Sequence, residues 1–309
     1  MTQNFLQVSV RRFFKKRAEK SAFFPLEYLD VLRLKHGIDN YKIFCYTLVT
    51  IKKKKKGFQK MNIVIFDTET TSLDKPFCYN IGYIIVNTED WENLIERSFV
   101  VTQIWHNLPL FNTAYYAEKR PIYVNAMRSR KCVMDKFGYI CQTMIKDFRR
   151  YNVEMAFAFN SSFDEKVFNF NCDWYKCNNP FDTIPIKDIR GFAHNFLVDE
   201  NYYRFCEKNS LFTDTGNYST TAENLFKYIS GFEDFEEAHT ALEDSKIETV
   251  ILMECVVNGA KLSENYKAKR SIERNTKRTL HIKTAEQTDY YFDYEKIRIN
   301  KERTEIKLT

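Results

Sequence analysis

Four acidic residues and one histidine recur in this sequence at spacings that suit metal-assisted hydrolysis. Asp67 and Glu69 lie in IVIFDTETTSL, Asp164 in AFAFNSSFDEKVF, and His239 and Asp244 in EEAHTALEDSKIET. Two divalent ions about 3.5–4 Å apart can activate water and stabilise the leaving oxygen of a phosphodiester. Such ions need clustered carboxylates, so the four acidic residues are candidate ligands for two Mg²⁺ or Mn²⁺ ions.

The spacing of these residues indicates how one site could hold them all. Asp67 and Glu69 are two residues apart, so at a strand end both point to one face, where Asp67 can bridge the ions and Glu69 hold one. Asp164 follows the buried strand MAFAF at the opening of a helix, where α/β sheets gather ligand residues. His239 and Asp244 would diverge by about 140° on one continuous helix. If His239 precedes the helix, both reach the site, and His239 can take a proton from the attacking water.

Each motif alone also has an ordinary structural explanation. Asp-x-Glu is common in surface turns, an aspartate favours the first turn of a helix, and a histidine near a helix end is usually solvated. Only the order and spacing of all three motifs indicate one reaction centre.

Apolar patterning predicts the elements that must position the motifs. NIVIF, YNIGYIIV and RSFVVTQ predict three short strands in an antiparallel meander, and MAFAF and DTIPI predict two more. A repeat of three to four residues predicts a helix of about five turns through Val133, Phe137, Ile140, Met144 and Phe148.

The last third of the body is predicted to be helical. Thr220 and Glu223 form a capping box for AENLFKYIS, which Gly231 closes, and a second helix runs through ALEDSKIETVILMECVV. Strands followed by alternating helices and strands predict an α/β fold, a mixed sheet flanked by helices.

Composition favours a well-packed globular protein. Of 309 residues, 27 are Phe and 19 Tyr, against 8 Gly and 6 Pro, which argues against a long disordered chain. Eight cysteines without paired CxxC spacing, and no secretory signal, predict reduced thiols and a cytoplasmic protein. A zinc site from Cys172, Cys177 and Cys206 is not expected from such wide gaps. The apolar run Tyr41–Ile51 is about half the ~20 residues of a membrane span, so no membrane partner is expected.

Charge divides the chain into three parts. Residues 1–60 carry a net charge of +11, residues 61–264 of −10 and residues 265–309 of +5. We therefore expect a basic, partly helical N-terminal extension (1–60), an acidic catalytic body (61–264) and a charged C-terminal tail (265–309) that is flexible or contains a late strand in DYYFDYEKIRI. The basic ends could face a polyanion or a protein partner. Basic residues interleave with Phe13 and Phe14 in a pattern suited to gripping phosphates and stacking on unpaired bases: Arg11, Arg12, Lys15, Lys16 and Arg17.

These motifs resemble the DEDDh branch of the DnaQ-like 3′ to 5′ exonuclease superfamily, which includes polymerase proofreading subunits and RNase T. The resemblance covers residues 61 to about 258. Asp67 with Glu69, Asp164 in FNSSFD, and His239 with Asp244 match its three motifs. It implies an RNase H-like fold and a metal-dependent 3′ to 5′ exonuclease that releases nucleoside monophosphates from DNA or RNA with a free 3′ end. In it, His239 is the general base and the four carboxylates hold two divalent ions.

The resemblance extends to weaker matches and has two departures. It implies that Thr70 and Leu73 contact the terminal nucleotide, that Asn160 touches its sugar or phosphate, and that Asp182 and Thr183 lie on a strand in a structural role. Ser72 replaces the Gly usual in the first motif. Phe159 replaces the His frequent in the second.

Two other functions fit the same residues. A non-enzymatic adaptor could bind nucleic acid or protein on an exonuclease-like fold, although a pure binder needs no converging carboxylates. A nuclease for short or cyclic oligonucleotides would share the chemistry. The motifs do not encode whether the substrate is DNA or RNA, or whether it is single- or double-stranded. They also do not encode the biological pathway or the oligomeric state.

Overall fold

The computed structural model describes residues 60–269, residue 272 and the backbone of four short strands between residues 279 and 308. The described residues fall into two compact units. One holds residues 60–210 and 220–269, and the other holds residues 211–219 with the described residues beyond 270. No helix among the described residues has both the length and the apolar character needed to cross a bilayer.

A six-stranded mixed sheet forms the centre of the first unit. Its strands are β1 (Asn62–Thr70), β2 (Cys78–Asn87), β3 (Glu92–Val101), β4 (Val133–Asp135), β5 (Val153–Ala158) and β6 (Ile186–Asp188). Their order is β4-β3-β2-β1-β5-β6. β1, β2 and β3 pair antiparallel, while β4, β5 and β6 join their neighbours in parallel. β1 is therefore central, and its carboxyl end lies beside that of the parallel strand β5.

Helices flank this sheet. They are α1 (Thr102–Trp105), α2 (Leu108–Phe111), α3 (Arg120–Arg128), α4 (Phe137–Arg150), α5 (Ser162–Tyr175), α6 (Ile189–Phe196), α7 (Glu200–Asn209), α8 (Ala222–Ser230) and α9 (Ala241–Val257), with a 3₁₀ turn at Ala117–Lys119. Aromatic rings fill the layer between β1 and α5, where Phe66 stacks on Phe181 at 4.2 Å between ring centroids. The edge of the Phe168 ring meets Phe66 at 5.8 Å. Burying a side chain of this size stabilises the fold by about 1.5–3 kcal/mol.

Gly82 allows α9 to lie directly against the sheet. A Cβ at this position would meet the backbone nitrogen of Leu242 at 2.1 Å, so only glycine permits this approach. Asn80 Oδ1 accepts a 2.9 Å hydrogen bond from the Ala241 amide, and Ser245 Oγ donates to the Gly82 carbonyl at 3.2 Å. Since Gly82 pairs with Asp67, these contacts set the start of α9 beside the first motif.

The second unit is built from short antiparallel pairs. β7 (Thr279–Lys283) pairs with β8 (Asp289–Asp293), and β9 (Ile297–Ile299) pairs with β10 (Ile306–Leu308). The expected late strand in DYYFDYEKIRI corresponds to β8 and β9. The predicted basic, partly helical N-terminal extension lies outside the described residues.

The α/β class and the predicted RNase H-like mixed sheet flanked by helices are confirmed. The antiparallel meander, the MAFAF strand and the helix through ALEDSKIETVILMECVV are also confirmed. Three local predictions are wrong. Val133 belongs to β4 rather than to the following helix, and DTIPI is largely a turn that precedes β6. Thr221, not Thr220, caps α8 by accepting from the Asn224 amide, because Thr220 Oγ1 bonds His194 instead.

Candidate active site

The carboxyl end of β1 presents two carboxylates on one face of the sheet. Asp67 and Glu69 are half-buried, whereas Thr68 between them is buried on the other face. The structure brings Asp244 to the same place: one oxygen from each of Asp67, Glu69 and Asp244 lies within 4.8 Å of the others. The first and third motifs therefore meet, and the partial exposure of the β1 carboxylates leaves the group open to solvent on one side.

Asp164 reaches this end of the sheet from α5. It lies in the first turn of that helix and is 2% exposed. Thr68 Oγ1 donates to Asp164 Oδ1 at 2.6 Å, which fixes the carboxylate beside β1. Asp164 is not part of the group defined by the 4.8 Å spacing, but its charge raises the pKa of both Asp67 and Glu69. The second motif therefore lies next to the other two.

α9 contributes a second buried acid, Glu248, one turn after Asp244. Glu248 is 3% exposed and Asp244 is 6% exposed, whereas most of the other buried side chains of this helix are apolar. Burial, followed by the charges of Asp164 and Asp244, raises the pKa of Glu248 well above its ordinary value, and a backbone hydrogen bond from Phe159 acts in the opposite direction. Glu248 was not among the predicted site residues, although an acid four positions after Asp244 in an apolar helix was a readable signal.

Burial and mutual repulsion dominate the electrostatics of this site. Burial, followed by the charge of Glu237, raises the pKa of Asp244 to about 9 and that of Glu69 to about 8. Burial raises the pKa of Asp164 to about 7 despite the hydrogen bond from Thr68. The pKa of Asp67 is raised well above its ordinary value by burial and then by Asp164. The carboxylates thus disfavour one another's charge unless a cation is supplied.

This arrangement fits divalent cations. Asp244 Oδ1 and Glu248 Oε2 are buried and have no hydrogen-bond partner. Within residues 60–269, no lysine or arginine forms an ion pair with any of the five carboxylates. Unpartnered buried carboxylate oxygens are costly in an apolar interior but suit the oxygen coordination that Mg²⁺ and Mn²⁺ prefer. Acidic first turns in α5 and α9 also place Asp164 and Asp244 at the positive ends of helix dipoles.

His239 lies at the rim of this site. It precedes the N-cap Thr240, so the condition that it stand just before the helix is met. Its φ of +51° is a left-handed conformation that is uncommon for a non-glycine residue. The imidazole stacks on Tyr116 at 4.2 Å between ring centroids, and its Nδ1 lies 3.7 Å from Glu237 Oε2. Its backbone amide contributes a hydrogen bond that lowers the pKa of Asp244.

The His239 side chain forms a second group rather than joining the carboxylates of the first. One ligand atom from each of Glu223, Glu237 and His239 lies within 4.8 Å of the others. Burial and then the charge of Lys119 lower the pKa of His239, so the imidazole is neutral near pH 7. Glu237, whose pKa burial raises to about 7, links the groups because its charge also raises the pKa of Glu69 and Asp244. Sequence reasoning missed Glu237 and Tyr116, and Tyr116 carries no motif signal.

The predicted substrate-contact residues surround the end of β1 on two loops. Leu73 is 76% exposed, and Lys166 Nζ donates to its carbonyl at 2.8 Å. Thr70 Oγ1 donates to the Ser72 carbonyl, and Ser72 Oγ accepts from the Lys75 amide, so serine closes this turn with its own side chain. Asn160 is exposed, has a φ of +61° and donates its amide to Asp188 Oδ1 at 2.8 Å.

The Asp-Thr pair was predicted to lie on a strand. Asp182 and Thr183 are instead exposed in the turn before β6. The acid that supports the site from this region is Asp188 at the end of β6, which holds the Asn160 amide and raises the pKa of Asp164. A strand that ends in an acid is therefore present in this region, but its acid, Asp188, lies six residues after Asp182.

Comparisons with known proteins give structural likenesses but no sequence relative. No protein-family model matches the sequence, and no curated protein matches it. The chain is similar to a solved structure described as "3'-end specific recognition of histone mRNA stem-loop by 3'-exonuclease", with 13% identity and a TM-score of 0.42 over 80% of this chain and 91% of that chain. A likeness at this level carries no inference about function.

Proposed function

We propose that this protein is a metal-dependent 3′ to 5′ exonuclease that hydrolyses phosphodiester bonds of DNA or RNA and releases nucleoside monophosphates. The observation that carries the proposal is the convergence of Asp67, Glu69 and Asp244 on one point, with Asp164 held beside them by Thr68. The three motifs are distant in the sequence, and their order is that of the DEDDh pattern they resemble.

The carboxylates of Asp67, Glu69, Asp164 and Asp244 would hold two divalent ions, Mg²⁺ or Mn²⁺. When bound, such ions lower the pKa of water and stabilise the leaving oxygen. The protein supplies a rigid frame for them: Asp67 and Glu69 stand on the central strand, while Asp164 and Asp244 lie in the first turns of two helices. A rigid frame matters because the ligands must overcome their mutual repulsion before any ion binds.

His239 is the proposed general base. A neutral imidazole can accept the proton of the attacking water, and the lowered pKa of His239 keeps it neutral near pH 7. Its Nδ1 lies 3.7 Å from Glu237 Oε2, and Nε2 is the atom proposed to take the proton. Stacking on Tyr116 restrains the ring, and Glu237 can stabilise the imidazolium once it forms.

The substrate end is proposed to rest on the loop after β1. Leu73 exposes an apolar side chain there, which suits contact with the face of a terminal base. Thr70 and Asn160 are the proposed polar contacts to the terminal nucleotide. A nucleic acid with a free 3′ end is therefore the proposed partner, and the basic N-terminal residues are proposed to add affinity for its backbone.

Cleavage of end-labelled oligonucleotides tests this proposal. Single- and double-stranded DNA and RNA, each with a free or a blocked 3′ end, are incubated with and without Mn²⁺. We expect metal-dependent shortening from the free 3′ end and protection by the block. Binding without cleavage would instead support the adaptor, and cleavage of blocked or cyclic substrates would contradict the directional assignment.

A further inference from the structure

Three cysteines converge at the end of α5 opposite to the one that bears Asp164. Cys141 lies in α4, Cys172 lies in the last turn of α5, and Cys177 follows the left-handed residue Lys176 that ends α5. All three sulfurs lie within 4.8 Å of one another, and none forms a disulfide. Cys206 in α7, which the sequence offered as a partner for Cys172 and Cys177, is not part of the group.

Backbone geometry brings the sulfurs together. The Cys177 amide donates to the Cys172 carbonyl at 3.1 Å, which turns the chain back over α5 after its last turn. Gly138 lies one turn before Cys141 on α4, and a Cβ there would contact the Cys177 Cβ at 3.4 Å. Cys177 therefore lies close to the face of α4 that carries Cys141.

We propose that Cys141, Cys172 and Cys177 bind one Zn²⁺ ion in a site separate from the carboxylates. In tetrahedral coordination with Zn–S bonds of about 2.3 Å, sulfurs stand about 3.8 Å apart, so the observed spacing needs a closure of at most about 1 Å. Binding converts three thiols to thiolates and releases three protons. A disulfide would join only two of the sulfurs and leave the third unused, whereas all three share one centre.

The surroundings suit such a site. Cys141 and Cys172 are buried beside Phe137, while Cys177 is half-buried and leaves the fourth position for a water molecule. The proposed ion joins α4 to the end of α5 about 12 Å from Asp164 along the helix axis, and would restrain the helix that bears this ligand.

Cobalt substitution distinguishes this site from the carboxylates, because only thiolates give an intense near-ultraviolet charge-transfer band with Co²⁺. The full chain is reduced, freed of metal with a chelator and titrated with Co²⁺. We expect the band to saturate at one equivalent, and excess Zn²⁺ to abolish it. Zn²⁺ should also raise the Tm of the metal-free protein.

Single substitutions identify which cysteines give rise to the charge-transfer band. Cys177→Ser and Cys141→Ser should each reduce it at least tenfold, while Cys206→Ser, a buried cysteine outside the group, should retain it. Asp67→Asn should also retain the band, which separates this proposal from the exonuclease proposal. Absence of the band in the parent protein, equal loss in Cys206→Ser, or a mass 2 Da below that of the reduced chain after purification without reductant, with no bound zinc, would overturn the zinc site.

Discussion

Metal-free protein should lose stability as the pH rises from 7 to 8. The pKa of Glu69 is raised to about 8 and that of Asp244 to about 9 by burial and neighbouring charge, whereas carboxyl groups of an unfolded chain titrate near pH 4. In this window the folded state therefore retains protons that the unfolded state has already lost. Because the folded state binds more protons, the free energy of unfolding falls as pH rises.

The size of this effect follows from the number of protons held. Glu69 and Asp244 together retain on average about 1.7 protons between pH 7 and 8, which corresponds to a loss of at least about 2 kcal/mol. For a body of about 200 residues that is a fall in Tm of roughly 4–8 °C. Histidines contribute little in this window, since their ordinary pKa is near 6.5.

Saturating Mg²⁺ or Mn²⁺ should remove most of this slope, because bound cations keep the carboxylates ionised in the folded state as well. Circular dichroism monitors thermal unfolding at pH 7.0, 7.5 and 8.0, once with a chelator and once with metal. A metal concentration of roughly 10 mM should saturate a carboxylate site. Asp244→Asn should reduce the slope in chelator by about 1.4 kcal/mol per pH unit, the contribution of one retained proton, while Asp173→Asn, an exposed aspartate on α5, should leave it unchanged. Equal slopes with and without metal, or a Tm that rises with pH in chelator, would refute the reasoning.

Three further substitutions probe the frame of the site. Replacing His239 with Ala should lower kcat by about 10²–10⁴-fold while Mn²⁺ affinity, measured by titration calorimetry, changes less than twofold; an equal loss of metal binding would show a ligand rather than a base. Glu248→Gln removes a buried acid that the unfolded chain ionises but the folded state disfavours as an anion. The metal-free protein at pH 8 should therefore gain about 1 kcal/mol, read as a Tm rise of a few degrees, and a lower Tm would contradict the assigned effect of burial and repulsion. Gly82→Ala should cost at least ~1–3 kcal/mol in urea unfolding, since the new Cβ would overlap the Leu242 backbone, and a neutral result would mean that α9 shifts freely.

Local periodicity was sufficient to predict the elements that bear the catalytic candidates. β1, the strand β5 that leads to Asp164, and α9 each carry a continuous pattern. The angular distance between His239 and Asp244 made a position of His239 before the helix the condition for both to reach one site. Val133 was misassigned because it continues the helical repeat of α4, yet its pairing with Phe99 across the sheet places it in β4. Thr220 satisfies a capping pattern but is used by His194, a partner 26 residues away.

The remaining parts of the site depend on contacts that no local pattern encodes. Thr68 faces away from Asp67 along the strand and still holds Asp164, because α5 begins at that end of the sheet. Cys141 joins Cys172 and Cys177 only because α4 and α5 pack together, and the spacing of cysteines along the chain does not encode that contact. Tyr116 reaches His239 from a segment with no motif at all.

Nuclease activity of matched aspartate variants on α5 tests the central claim most directly. Asp164→Asn and Asp173→Asn differ in the same helix by burial and by proximity to β1, so a general effect on folding would appear in both Tm values. With 5′-labelled single-stranded oligonucleotide and Mn²⁺, we predict that Asp173→Asn shortens the substrate at the parental rate and that folded Asp164→Asn loses at least 10²-fold. Parental activity in folded Asp164→Asn would contradict the assignment of this carboxylate cluster as the reaction centre.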